Sequence, residues 1–120
     1  MESRRTQRVA DLLHHEIAWV LQREIKDPRV GFVTITGVRV SADLRHARVY
    51  YTVLGEPLQR SETQKGLDSA RAFVRRAVGA RLRIKVVPEL KFVYDEDFER
   101  ALRTQAVLED VRDATEDPDR

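Results

Sequence analysis

A chain of 120 residues, 42% apolar and 35% charged, can bury one modest core, which excludes a second full domain. It has no cysteine, so a disulfide framework, thiolate catalysis and a cysteine-built zinc site are excluded. The formal charge of +2 hides a partition: residues 1–94 hold 18 basic and 10 acidic side chains (net +8), and residues 95–120 hold 4 and 10 (net −6).

From Ser3 to Ile25, Val9, Leu12, Leu13, Ile17, Val20, Leu21 and Ile25 recur at three- and four-residue steps, which predicts an amphipathic helix. Trp19 lies beside that stripe, and Arg4, Arg5 and Arg8 lie on its polar faces. Pro28 cannot continue the helix and biases Asp27 away from helical angles, so the end is expected near Lys26. The period then changes to two. Val33 and Ile35 are out of phase with Val38 and Val40, and a bulge at Gly37 restores the inward face. Ala47, Val49, Tyr51 and Val53 form a second half-buried strand, joined to the first by the short turn Ser41 to His46.

Ser61 and Gln64 have capping-box spacing, which places a second helix start there. Leu67, Ala70, Phe73, Val74, Ala77, Val78 and Leu82 supply its apolar side, and Gly79 invites a break or kink. Pro88 closes this region. Leu90, Phe92 and Tyr94 alternate as a third strand. Asp95, Glu96 and Asp97 can open a last short helix with Phe98, Ala101, Leu102 and Leu108 on its weaker apolar face. From Asp110 the acidic sequence lacks an apolar period, and disorder is expected. Three strands and two main helices form a two-layer sandwich with the helices on one sheet face.

No enzyme signature emerges. His14 and His15 are adjacent, not four apart, and His46 sits by a turn. Asp95 to Asp97 read more simply as helix-start acids than as magnesium ligands. The five glycines are scattered and form no phosphate loop. No cofactor or metal is expected. Nucleic-acid binding has more support. Between Lys65 and Val87 the basic residues Lys65, Arg71, Arg75, Arg76, Arg81, Arg83 and Lys85 face Asp68 alone, and arginine forks onto phosphate oxygens. Arg4, Arg5 and Arg8 form a second cluster, which can merge with the first if both helices pack on one side of the sheet. The aromatics favour backbone and shape recognition over base stacking. Asp27-Pro28-Arg29 is read mainly as a structural motif, with Arg29 turning back to Asp27 or outward to a phosphate.

Several separated stretches resemble the bacterial ribosome-binding factor A family. They are Gln7-Arg8-Val9-Ala10, the run from Leu21 through Asp27-Pro28-Arg29 to Gly31, the run from Val38 to Tyr50, and the run from Arg83 through Pro88 to Asp95. The resemblance implies an α+β, KH-like fold related to type II, with a kinked second helix. In that family an Ala-x-Gly element interrupts the helix. Here Ala70 and Ala72 stand in its place, and alanine favours continued helix. The bend therefore falls at Ala70–Ala72 or near Gly79.

The resemblance further implies an assembly factor of the small (30S) ribosomal subunit. It would bind 16S rRNA, assist late maturation and 5′-end processing without catalysis, and support growth in the cold. Its basic surface maps onto Arg75, Arg76, Arg81, Arg83 and Lys85, with Arg45 near the hairpin turn. The expected organisation is an RNA-binding domain over residues 1–108 and an acidic, disordered tail over 109–120. Ribosomal proteins or other assembly factors are further partners. The start lacks an apolar leader and no stretch approaches 18 apolar residues, so a cytoplasmic monomer without membrane contact is expected. The competing readings are a protein-interaction module with incidental basic charge and a small metal-dependent hydrolase using Asp95 or Asp97.

Overall fold

The computed structural model describes residues 3–53, 57–84 and 86–115. Helix α1 spans Arg4–Arg23, and Ser3 caps it by accepting the Thr6 N–H on its Oγ at 3.2 Å. Thr6, Ala10, Leu13, Ile17, Val20 and Leu21 are its buried residues. Leu12, read as part of the stripe, is instead 50% exposed. The helix also ends three residues before Lys26. The chain needs those residues to enter a 3₁₀ turn, Pro28–Val30, whose N-cap is Asp27.

Strands β1 (Val33–Val40) and β2 (His46–Val53) pair antiparallel. The register shifts between Ile35 and Gly37, so the expected bulge is present and brings Ile35 and Val40 to the same buried face. The connecting turn is held by Asp43, whose carboxylate accepts from the Ser41 hydroxyl at 2.6 Å and the Arg45 N–H at 3.1 Å. Those bonds hold the Asp43 carboxyl below its usual pKa. Leu44 closes the turn in the left-handed region, at φ 61°.

Helix α2 spans Pro57–Leu82, so it starts four residues before Ser61. Pro57 fits the first turn, where its missing N–H has no helical partner to lose. Ser61 and Gln64 therefore lie inside the helix, and the capping box does not form. Gln64 instead ties helix to sheet. Its Oε1 accepts the Tyr51 hydroxyl, and its Nε2 donates to the Phe92 carbonyl at 3.0 Å. Burial pushes the Tyr51 phenol up to about 12. Helical assignment is continuous through Ala70, Ala72 and Gly79, so the kink is a bend within one helix and not an interruption. Phe73 was expected in the core but is 42% exposed.

Strand β3 (Glu89–Tyr94) pairs parallel to β2, giving a mixed sheet in the order β1-β2-β3. Leu13, Ile17 and Val20 of α1 and Leu67, Val74 and Val78 of α2 pack with Val49, Tyr51, Leu90 and Phe92 in one core. The fold is the expected α+β sandwich with helices on one face. Helix α3 spans Glu96–Thr115. It continues past Leu108, where the domain was expected to end, and past Asp110, where disorder was expected. Residues 116–120 of the expected tail lie outside the described residues. Phe98, Leu102 and Leu108 of α3 are exposed.

Candidate nucleic-acid interface

The basic half of α2 divides into two chemical groups. Arg75 and Arg81 have protein partners. Arg75 donates from Nη2 to the Val87 carbonyl at 2.7 Å and from Nε to the Val87 and Pro88 carbonyls at 3.1 and 3.2 Å, with Nη1 3.3 Å from Glu89. It fastens the approach to β3 onto the helix. Arg81 pairs with Glu16 of α1, and its guanidinium lies 3.6 Å from the centroid of the Trp19 ring. A cation stacked on indole and paired with a carboxylate is spent locally. Arg71, Arg76 and Arg83 are exposed and make no ion pair among the described residues.

Arg83 stands just beyond the end of α2 with φ 55°. The Ile84 N–H donates to the Gly79 carbonyl at 3.4 Å across it, the six-to-one bond of a Schellman terminus. The Arg83 side chain is exposed at this terminus. Gly79 serves close approach: a Cβ built there would lie 2.7 Å from a methyl of Val87. Pro88, which follows, is buried at the entry to β3. Lys85 lies outside the described residues.

On α1, Arg4, Arg5 and Arg8 are exposed and unpaired among the described residues. The helices meet at Glu16 and Arg81, eight residues or about 12 Å of helix beyond Arg8. The clusters share one side of the sheet, with an acid at the junction between them. Arg45 is exposed in the hairpin turn, and its carbonyl accepts the Glu89 N–H at 2.8 Å.

Asp27 and Arg29 resolve the alternative left by the sequence. Arg29 turns back: Nη2 reaches Oδ2 of Asp27 at 2.6 Å and Nε reaches both carboxylate oxygens at 3.1 and 3.0 Å, while its backbone N–H donates to Oδ1 at 2.9 Å. The guanidinium holds the Asp27 carboxyl below its usual range. This motif rests on Gly66 of α2, where a Cβ would lie 2.9 Å from Val30 Cγ2 and 3.1 Å from the Arg29 Cβ. Gly66 was not singled out from the sequence. A lone glycine amid helical periodicity was its signal.

Asp95 caps α3 by accepting the Phe98 N–H at 2.9 Å, and its Oδ2 accepts the Thr36 hydroxyl at 2.6 Å. Both oxygens are engaged in structure. His14 donates from Nε2 to the Ile35 carbonyl at 3.1 Å, tying α1 to β1. Among the described residues, no group of three or more His, Cys, Asp or Glu side chains could hold a metal ion, and no helix is long and apolar enough to cross a membrane.

The family model described as ribosome-binding factor A matches residues 5–108. The chain belongs to the ribosome-binding factor A family. A family member from Thioalkalivibrio sulfidiphilus is 44% identical over 117 residues, covering 96% of this chain and 91% of that protein. One from Halothermothrix orenii is 40% identical over 116 residues, covering 97% and 95%. Among solved structures, a Thermotoga maritima protein described as a putative ribosome-binding factor A superposes with a TM-score of 0.66 at 31% identity, covering 78% of this chain and 89% of that one. Ribosome-binding factor A from Thermus thermophilus gives 0.65 at 24% identity, covering 74% and 94%, and supports the fold alone. As a member of the ribosome-binding factor A family, the chain is a binding factor and not an enzyme.

Proposed function

We propose that this protein binds the small ribosomal subunit through its 16S rRNA during late assembly in the cytoplasm. The observation that carries the reading is the group of exposed arginines on and beside α2, Arg71, Arg76 and Arg83, which have no ion-pair partner among the described residues, in a chain that belongs to the ribosome-binding factor A family. A desolvated carboxylate would neutralise such groups in a structural role; phosphate does so in a binding role. Arg75 and Arg81 act one step back, by fixing the loop and helix that carry the others. Arg4, Arg5, Arg8 and Arg45 extend the basic surface, Lys85 is a further RNA contact proposed from the sequence alone, and residues 1–108 are the RNA-binding domain.

The mechanism is selective binding without covalent chemistry. The sandwich fixes the guanidinium spacing, so affinity is greatest for one arrangement of RNA phosphates, and binding biases the immature subunit toward it. Assistance to 5′-end processing and to growth in the cold follows from holding that arrangement while other proteins cut. Contact with ribosomal proteins or other assembly factors accompanies this binding. The test is co-sedimentation with purified small subunits over a salt series. Arg71→Ala with Arg76→Ala should weaken binding and flatten its salt dependence, with the fold unchanged by circular dichroism. Identical salt curves for variant and parent would remove α2 from the interface.

A further inference from the structure

The sheet face away from α1 and α2 carries a row of three cations. Arg39 of β1 sits directly opposite Arg48 of β2, and Arg48 sits opposite Lys91 of β3. All three are exposed, and each alternates with buried neighbours: Val40 beside Arg39, Ala47 and Val49 around Arg48, Leu90 and Phe92 around Lys91. Adjacent strands lie about 4.8 Å apart, so the row spans about 10 Å. None of the three makes an ion pair or side-chain hydrogen bond among the described residues.

Like charges directly opposed across strands are destabilising. Two of the acids near this face are paired with other cations, Glu89 with Arg75 and Asp97 with Arg100 at 3.6 Å. Asp95 keeps its charge while capping α3 and accepting from Thr36, so one carboxylate stands against three cations. Protection of sheet edges accounts for a cation on β1 and on β3, which are the edge strands. It does not account for Arg48, on the central strand. A cleft of about 770 Å³ opens beside the row, lined by Arg39, Arg48, Tyr50 and Phe98 together with Asp95 and Asp97.

We propose that this row is a second phosphate-binding surface, which takes a single RNA strand lying across the sheet on the face opposite α2. The proposal rests on the reading of the chain as an RNA binder, and adds that it grips RNA from both sides of the sandwich. Charge complementarity selects the occupant: three unpaired cations in a line fit successive backbone phosphates. Tyr50, half-buried, lines the same cleft.

The experiment uses the full chain and fluorescein-labelled single-stranded and duplex RNA 20-mers, with affinity measured by anisotropy across a salt series. Each neutralised phosphate contributes about 0.7 to the log–log slope for single strands, so Arg39→Gln, Arg48→Gln and Lys91→Gln together should lower that slope by about 2. Arg48→Gln alone should lower it by about 0.7. The melting temperature of the triple variant should stay level or rise, because repulsion is removed. Arg71→Gln with Arg76→Gln is measured in parallel. A drop in slope for the α2 pair with none for the sheet row overturns this proposal and leaves the α2 interface standing. A drop for the sheet row with none for the α2 pair supports the row and overturns the α2 placement. An unchanged slope in the triple variant, with weakened capture of an acidic polypeptide such as polyglutamate, assigns the face to protein instead and also overturns the proposal.

Discussion

Arg75 holds the Val87 carbonyl with two nitrogens, Nη2 at 2.7 Å and Nε at 3.1 Å, across twelve residues of chain. The side chain therefore bolts the segment before β3 onto α2. Hydrogen bonds from a charged donor to a partly buried carbonyl stabilise by about 1.5–3 kcal/mol at most, and exposure of the guanidinium lowers that. Arg75→Ala should destabilise the domain by about 1–2 kcal/mol, read by urea denaturation. Its RNA salt slope should change less than that of Arg76→Ala.

Arg83 occupies a backbone conformation that suits glycine, at φ 55°. The left-handed region costs an L-residue about 1 kcal/mol that glycine does not incur. Arg83→Gly is expected to raise stability by up to about 1 kcal/mol while lowering RNA affinity. Stability and binding moving in opposite directions, in denaturation and anisotropy respectively, identifies a residue kept for its charge. A loss of both would show that the side chain supports the fold.

Gly66 and Gly79 both lie in α2 under neighbours that a Cβ would meet, yet they should respond differently. At Gly79 the obstacle is a methyl tip of half-buried Val87, which can rotate away. At Gly66 it is buried Val30 and the Cβ of Arg29, held by the 3₁₀ turn. Alanine gains about 1 kcal/mol of helix propensity at either site. Overpacking costs about 1–3 kcal/mol, so Gly66→Ala should be net destabilising and Gly79→Ala close to neutral. Thermal unfolding of the two variants side by side tests the contrast.

Asp27 ties stability to pH. Its folded pKa is lowered, chiefly by the Arg29 guanidinium and then by the Arg29 N–H. A depressed carboxyl contributes stability above its unfolded value, near 3.9, and that contribution is lost as pH falls through the folded value. Asp27→Asn should therefore unfold at lower urea than the parent at pH 7, and the gap should close below about pH 4. A gap of constant size from pH 7 to pH 3 would mean that the Asp27–Arg29 pair does not set the difference.

The strands were legible because alternation reports burial directly. Ala47, Val49 and Tyr51 are buried as their spacing required, and the phase change around Gly37 located the bulge. The start of α2 was not, because Ser61 and Gln64 mimic a cap, whereas Gln64 is a half-buried bridge between Tyr51 and Phe92. Apolar periodicity also overcounts. Leu12 and Phe73 sit at the edges of their stripes and remain exposed. For the candidate site, the sequence located the basic segment but could not tell Arg75 and Arg81 from Arg71 and Arg76. A guanidinium on a long stem reaches partners that no spacing rule names, such as the Val87 carbonyl or the Trp19 ring. The row of Arg39, Arg48 and Lys91 was hidden for a related reason, since cross-strand register joins positions far apart in the chain.

The mixed sheet imposes an order of assembly. Val40 and Ala47 are paired across a tight turn, whereas His46 and Glu89 become neighbours only after α2 has crossed over. Local closure is fast and distant closure slow. The hairpin should therefore form early against α1, with β3 docking last. During synthesis, the ribosome must release residues to Tyr94 before the sheet can be completed, so the core stays unfinished until α2 and β3 have both emerged.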